Sequence, residues 1–196
     1  MSRFTNKIKT VFRFFGVRHL KKTLFFLLII GLIYWFSLPK KIFDTPTSIV
    51  LVDRNNYLLG AKIAADGQWR FPHNDSVPSK FAAAITEYED RRFYDHIGVD
   101  LTGIGRAIRD NYQKGKITSG ASTITMQVIR MSTKRKGRSM YRKMQEMMIA
   151  TRMELSFNKD QILALYTSNA PFGGNVVGLD AAAWRYYGKS PQLLSW

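Results

Sequence analysis

Three observations predict a mainly α-helical domain with a short β-hairpin before it and one transmembrane helix ahead of both. Apolar residues recur at helical spacing from Ser79 to Tyr187, interrupted by glycines and polar clusters. Two short apolar runs, Ser48–Val52 and Tyr57–Ile63, flank the turn-prone Asp53-Arg54-Asn55-Asn56. An uncharged run, Leu24–Leu38, lies between pairs of lysines. At 196 residues the chain has room for one domain plus an anchor. It has no cysteine, which excludes disulfides and thiolate metal sites.

The apolar run is short against the roughly 20 residues of a usual spanning helix. Thr23 and the flanking Lys21, Lys22, Lys40 and Lys41, whose side chains can snorkel, extend it. Tyr34 and Trp35 fall where an interfacial aromatic belt belongs. The alternatives are a cleaved signal peptide and a buried helix. No small-x-small cleavage site follows, and Trp35 and Phe36 occupy its place, which favours an uncleaved signal anchor. Ahead of it stand Arg3, Lys7, Lys9, Arg13, Arg18, Lys21 and Lys22, without an acid. The positive-inside rule then keeps the N-terminus cytoplasmic and sends the remainder across the inner membrane. The formal +16 less these seven charges leaves +9. An exported basic domain meets little nucleic acid, so anionic lipid or a polyanionic substrate at the membrane is the better partner. The chain thus divides into a basic tail (1–22), a transmembrane segment (23–38), a Pro-containing linker (39–47) and one domain (48–196).

Within the domain the first helix runs from about Lys80 to Asp90, with Ser79 as N-cap. Phe81, Ala84, Ile85 and Tyr88 form its apolar face, and Glu89 lies about 40° from Ile85 at the edge. Glu87 and Asp90 point away. A second helix starts at Asp100, with Leu101, Ile104, Ile108 and Tyr112 on one side. Thr123–Met131 is an apolar segment after a Gly-Ala-Ser turn. Ser139–Leu155 is apolar almost all round, which predicts a buried core helix with Lys143 and Glu146 embedded in it. Asn158 with Gln161 resembles a capping box for a helix through Tyr166. Ala170–Asn175 reads as a tight loop, and Gly178–Tyr187 as a helix ending at Gly188.

Partial desolvation suits a carboxylate to accept a proton, and Glu89 alone of its three neighbouring acids is placed for it. His96 reads as a structural hydrogen-bonder. The other histidines, His19 and His73, are not at ligand spacing, which argues against a zinc site. The hydroxyls of Ser122, Thr123 and Thr125 follow Gly120 in a segment able to bind an oxyanion. Arg130, Arg138, Arg142 and Lys143 come next, and clustered cations suit a pyrophosphate. Ser156 and Lys159 have Ser-x-x-Lys spacing, but no Ser-Asp-Asn or Lys-Thr-Gly follows, so the match is weak.

Glu89-Asp90-Arg91-Arg92-Phe93-Tyr94-Asp95-His96-Ile97-Gly98-Val99-Asp100, then Gly120–Gln127, then Arg142-Lys143-Met144-Gln145-Glu146 resemble, in order and spacing, the motifs of the peptidoglycan glycosyltransferases (glycosyltransferase family 51). That family includes class A penicillin-binding proteins and monofunctional murein polymerases. The pattern Lys159-x-x-Ile162-Leu163-x-x-Tyr166-x-x-Asn169 and the stretch Phe172–Lys189 resemble its later motifs. Met126 stands where the family has Gln, and Arg130 where it more often has Lys. Asp66–Pro72, Ala170–Asn175 and Met126 look most like the 1C type.

The resemblance implies a lysozyme-like fold, here C-terminally truncated, and polymerisation of lipid II. Glu89 is implied as catalytic base. Asp90, Ser122, Thr123, Gln127, Arg130, Arg138, Arg142 and Lys143 are implied as substrate-binding. Glu146 is implied as a catalytic residue that orients these cations or helps hold a divalent ion, Mg2+ or Mn2+, on the pyrophosphate; the sequence requires no cofactor. Partners are then lipid II, the nascent glycan strand, the membrane and other cell-wall synthesis proteins, with no nucleic acid. Two alternatives stand beside this reading: a lysozyme-like glycan-cleaving enzyme, and a truncated, non-catalytic lipid II- or glycan-binding module.

Overall fold

The computed structural model describes residues 17–117, 120–133, 137 and 139–195. The chain forms two compact units, Met1–Pro39 and Lys40–Trp196. The first contains helix α1, Val17–Trp35. Any long window of α1 includes Arg18, Lys21 and Lys22, and its uncharged helical part is only Thr23–Trp35. Accordingly, no helix among the described residues is long and apolar enough to cross a membrane.

The second unit opens with the expected hairpin, β1 (Ile49–Val52) antiparallel to β2 (Leu58–Lys62), with an irregularity at Leu51/Val52. Its turn is built as the composition implies. Asp53 Oδ1 accepts from the Asn55 and Tyr57 amides, each at 2.8 Å. The linker before it, exposed at most positions, touches the domain at a few points. Ile42 and Ser48 are buried, and the Arg70 guanidinium donates to the Pro46 carbonyl at 2.7 Å.

Strand β3 (Trp69–Arg70) pairs in parallel with β4 (Val176–Val177). Neither two-residue strand carries a periodic signal, so both went unpredicted, and β4 lies just after the expected tight loop. Six further helices follow among the described residues, the first five being α2 (Ser79–Glu89), α3 (Leu101–Lys114), α4 (Ile124–Ser132), α5 (Met140–Glu154) and α6 (Lys159–Asn169). The last, α7, is Leu179–Tyr187. A 3-10 turn, Phe93–Asp95, joins α2 to the segment before α3, and a second, Pro191–Leu193, follows α7.

The core is centred on α4. Ile124, Met126, Val128 and Ile129 are essentially solvent-free, as are Ala150 and Met153 of α5 and Ile162 and Leu163 of α6. Met126, which stands where the family has Gln, is therefore a core side chain. A satellite cluster joins Val176, Ala181 and Ala182 to Trp69, Phe71 and Phe172.

Three expectations are corrected. The first concerns α5, which is covered along one side only. Met140, Tyr141, Met144 and Met148 are exposed, because an all-round apolar pattern does not say which face finds a neighbour. The second concerns α2, whose sheltered face is Phe81, Ala82, Ile85, Thr86 and Glu89. Ala84 and Tyr88 are exposed, and Asp90, expected to point away, is the most buried of the three acids. Third, Ser79 begins α2 rather than capping it; Pro78 is the N-cap.

Candidate active site

Several of the expected site residues form the frame. The Asp90 side chain is only 4% exposed. Its Oδ2 accepts the Ile124 amide at 3.0 Å, at the N-terminus of α4 where the helix dipole favours a negative charge. Both Asp90 oxygens also accept from His96 Nε2, at 3.0 and 3.1 Å. The Gly98 amide donates to His96 Nδ1 at 3.2 Å, which leaves Nε2 to carry the proton toward Asp90. Thr123 caps α4 by accepting from the Met126 amide and donates to the Gly98 carbonyl at 2.7 Å. Asp90 and Thr123, expected to touch substrate, are buried with their polar atoms bonded to the protein itself, and both line the cavity described below. His96 holds the structural place expected of it.

The frame continues into α5 and α6. Lys159 Nζ donates to the His96 carbonyl at 2.6 Å and to Glu154 Oε1 at 2.8 Å, and lies 4.6 Å from the Phe93 ring centroid. Glu154 also accepts from Thr125. Ser156 accepts from Arg152, and Lys159 is spent elsewhere, so the Ser-x-x-Lys spacing assembles no nucleophile. At the other end of the segment, Asp100 caps α3. Burial alone would push its carboxyl up. The Gly103 amide, the Arg92 guanidinium and the Thr102 hydroxyl outweigh that and hold it down to about 2.

Glu89 ends α2, next to Asp90, so the Asp90–Ile124 bond carries it to the head of α4. There Gln127 Nε2 donates to Glu89 Oε2 at 2.8 Å. Gln127, implied as a substrate contact, thereby orients the carboxylate. Tyr166 of α6 is buried close enough to feel the same charge. Burial first, and the Glu89 carboxylate second, push its phenol up to about 12. Glu89 is half-buried and opens onto a cavity of about 500 Å³, lined also by Ser122, Thr102, Arg92, Arg106 and Arg109.

On the far side of Ser122 stands a bidentate ion pair. Arg130 Nε donates to Glu146 at 3.1 and 3.2 Å and Nη2 donates at 2.8 Å, which raises the guanidinium's already high pKa. Arg130 Nη2 also donates to Ser122 Oγ at 3.2 Å. Lys143 lies one helical turn before Glu146, half-buried, its ammonium without a partner among the described residues. Arg142 donates to the Gly137 carbonyl at 2.9 Å. Arg138 lies outside the described residues. Among the described residues no group of three or more His, Asp or Glu side chains is arranged to hold a metal ion. Glu146 gives both oxygens to Arg130, so this donor set does not fit a divalent ion and no step is derived through one.

Sequence reasoning left Tyr166, Lys159 and Glu154 outside the site, although the Lys-x-x-Ile-Leu-x-x-Tyr spacing pointed to the first two. Nothing in the sequence pointed to Arg92, Arg106 or Arg109.

Over residues 59–196 the sequence matches the family described as transglycosylase. It is 35% identical over 159 residues to penicillin-binding protein 1C of Escherichia coli strain K12, covering 81% of this chain and 20% of that protein. It is 34% identical over 168 residues to the biosynthetic peptidoglycan transglycosylase of Pectobacterium carotovorum, covering 84% and 66%. It is 36% identical over 121 residues to the protein of that name from Thiobacillus denitrificans, covering 62% and 52%. The chain thus spans a fifth of the first relative and about half of the last. The match takes in the hairpin's second strand, the buried Asp90–His96–Ile124 frame, Glu89 with Gln127, and the Arg130–Glu146 pair. This chain therefore belongs to the transglycosylase family.

Proposed function

We propose that this chain polymerises lipid II into β-1,4-linked glycan strands by inverting glycosyl transfer, releasing undecaprenyl pyrophosphate. The observation that carries this reading is the juxtaposition at the head of α4. A carboxylate oriented by Gln127 opens onto a cavity lined by Ser122, which accepts from the paired Arg130, and Lys143, one helical turn before Arg130's partner Glu146, has no partner among the described residues. Glu89 takes the proton from the acceptor sugar's 4-hydroxyl as that oxygen attacks C1 of the donor from the face opposite the leaving group. The C1–pyrophosphate bond breaks, and Arg130 and Lys143 hold the charge that accumulates on the departing oxygens. Glu146 fixes the Arg130 fork through two hydrogen bonds, and Asp90 and His96 hold Glu89 and α4 in register. Arg142 adds to the positive field around the leaving group, the role that the resemblance also gives Arg138.

The segment around α1 anchors the chain in the inner membrane, with its basic flank cytoplasmic and the folded domain outside, next to its lipid substrate. The uncharged segment from Thr23 to Leu38 falls just short of the roughly 17–25 residues that spanning segments use.

Polymerisation of lipid II by the purified chain tests the proposal. Glycan strands with released undecaprenyl pyrophosphate are expected. Cleavage of preformed glycan without polymer would assign a lysozyme-like hydrolase. Binding of lipid II with neither reaction would assign a non-catalytic module.

A further inference from the structure

The Ser156-x-x-Lys159 spacing assembles no nucleophile, yet its lysine stands where its own helix gains nothing from it. Lys159 is the first residue of α6, where the helix dipole disfavours a cation. Asn158, Gln161 and Asp160 already supply the cap and the acid of that first turn. The Lys159 side chain is 20% exposed and that of its partner Glu154 7%. A charge pair this sheltered adds little stability, because desolvation offsets most of the attraction. What the pair holds is therefore the informative part. Lys159 Nζ donates to the His96 carbonyl at 2.6 Å as well as to Glu154 Oε1 at 2.8 Å, and the same Glu154 oxygen accepts from the Thr125 hydroxyl at 2.7 Å.

These bonds close a ring. From Lys159 it passes to His96, whose imidazole meets Asp90, and Asp90 accepts the Ile124 amide. Thr125, the next residue, returns it through Glu154 to Lys159. Glu89 depends on this ring from two sides. Asp90 is its neighbour in the chain, and Gln127, which donates to its carboxylate at 2.8 Å, follows Ile124 by three residues on α4. Lys159 serves two links at once. Without its ammonium the His96 carbonyl loses a donor and the Glu154 carboxylate is left buried without a counter-ion. Such a carboxylate turns to water or takes up a proton. Either change pulls on Thr125 and so on the head of α4. Neither Lys159 nor Glu154 lines the cavity, so any effect on the chemistry passes through the ring. In the reaction proposed above, on which this inference rests, a base displaced by about an ångström loses much of its effect. We infer that Lys159, with Glu154 as its counter-ion, is a positioning residue for Glu89. It holds the 89–98 segment and the head of α4 at the separation that keeps the carboxylate on Gln127 and open to the cavity.

The test compares full-chain variants in lipid II polymerisation, thermal unfolding and amide hydrogen exchange. Lys159→Met leaves Glu154 unpaired, so melting temperature and kcat should both fall. Glu154→Gln combined with Lys159→Met removes both charges and leaves a side chain that still accepts from Thr125. Its melting temperature should return close to that of wild type, since no buried charge is left unpaired. Its kcat should stay about ten- to hundredfold low, with KM for lipid II within about twofold, because the His96 carbonyl still lacks its donor. Lys159→Arg, which keeps the charge and the donors, should retain more of kcat than Lys159→Met. Exchange reads the same link without turnover. In the double variant the Gly98 and Ile124 amides, bonded to His96 and Asp90, should exchange about tenfold faster or more, while the Ile162 amide inside α6 holds its rate. Recovery of kcat together with melting temperature in the double variant overturns the inference and leaves the pair a structural role. So does a loss that falls on KM with kcat unmoved, or unchanged exchange at Gly98 and Ile124. A wild-type chain that never polymerises lipid II would instead sink the proposed reaction, and the exchange comparison would still decide whether the pair holds the frame around Glu89.

Discussion

Glu89 owes its position to its neighbour. Asp90 is pinned to Ile124 and His96, so the peptide that follows α2 has one place to go, and the preceding carboxylate reaches Gln127. Glu89→Gln keeps the size and the hydrogen-bonding reach but cannot take a proton. Polymerisation should fall by about 10²–10⁴-fold while the melting temperature and lipid II affinity hold. Activity within a few-fold of wild type would move the base elsewhere. Lys143→Ala acts on another quantity. Its side chain is half-exposed and has no partner among the described residues, so donor affinity should drop, and the drop should shrink as salt rises through the range where the Debye length falls from about 10 to 3 Å. A salt-independent loss would argue for a packing role.

Asp100 sets a residue-level pH dependence. Its carboxyl is held below the ordinary 3.8, at about 2 in the folded chain, by the Gly103 amide, Arg92 and Thr102 acting against burial. A depressed folded value means stability that is fully present above the unfolded value near 3.8 and is lost as pH falls through about 2. The contribution is about 1–2 kcal/mol once solvent screening is allowed for. Asp100→Asn should therefore be less stable than wild type by that amount at neutral pH, with the gap closing toward pH 2. A gap that stays constant over the whole range would assign the cost to the lost cap rather than to the charge.

Among the elements, the tightest constraint is the approach of the Gly98 backbone to α5. Gly98 has φ +85°, and a Cβ there would stand 2.7 Å from the Ala150 carbonyl oxygen. Backbone strain of this kind costs about 1–3 kcal/mol before any clash. Gly98→Ala should lower unfolding free energy by at least that much and, because Gly98 also bonds Thr123 and His96, should reduce turnover out of proportion to its distance from Glu89. Chemical denaturation together with kcat checks both, and an unchanged denaturation midpoint would mean that α5 yields freely.

The same contrast between local and tertiary causes explains what was legible in the sequence. Asn158 caps its helix as the spacing implied, since a cap needs only a side chain and an amide two or three residues on, and Asp100, Thr123 and Ser139, read only as the first residues of their segments, cap theirs in the same way. Glu89 was legible as a half-sheltered acid because its own helix carries most of that information. Burial of Asp90 was not, because its partners lie six and 34 residues away. Exposure of Met144 and Tyr88 was not, because an apolar face is hidden only when another element covers it. Nor was the arginine-lined side of the cavity legible, since the cavity that brings Arg92 to Arg106 and Arg109 exists only once α2 and α3 are placed.

For the molecule as a whole the open quantity is the anchor. Helical rise over Thr23–Trp35 covers about 20 Å, against a hydrocarbon core of about 30 Å. The shortfall narrows at both ends. The Phe36 amide donates to the Leu32 carbonyl at 3.0 Å, and the Ser37 amide and hydroxyl donate to the Tyr34 carbonyl at 3.2 and 2.7 Å, so two more residues enter without orphaned amides. At the other end α1 runs on through Lys21 and Lys22, whose long side chains can reach the headgroups while their backbones stay helical. Local thinning of the bilayer costs fractions of a kcal/mol per ångström and covers the rest. The segment should therefore span. In cells, the full chain should resist extraction by alkaline carbonate. A C-terminal reporter that works only outside the cytoplasm should be active, and one that works only inside should be silent. Release by carbonate would mean that α1 lies along the interface, held by its apolar surface and its lysines. A reporter active inside would place the catalytic cleft on the wrong side of the membrane for the proposed reaction, and the assignment of the substrate would fall with it.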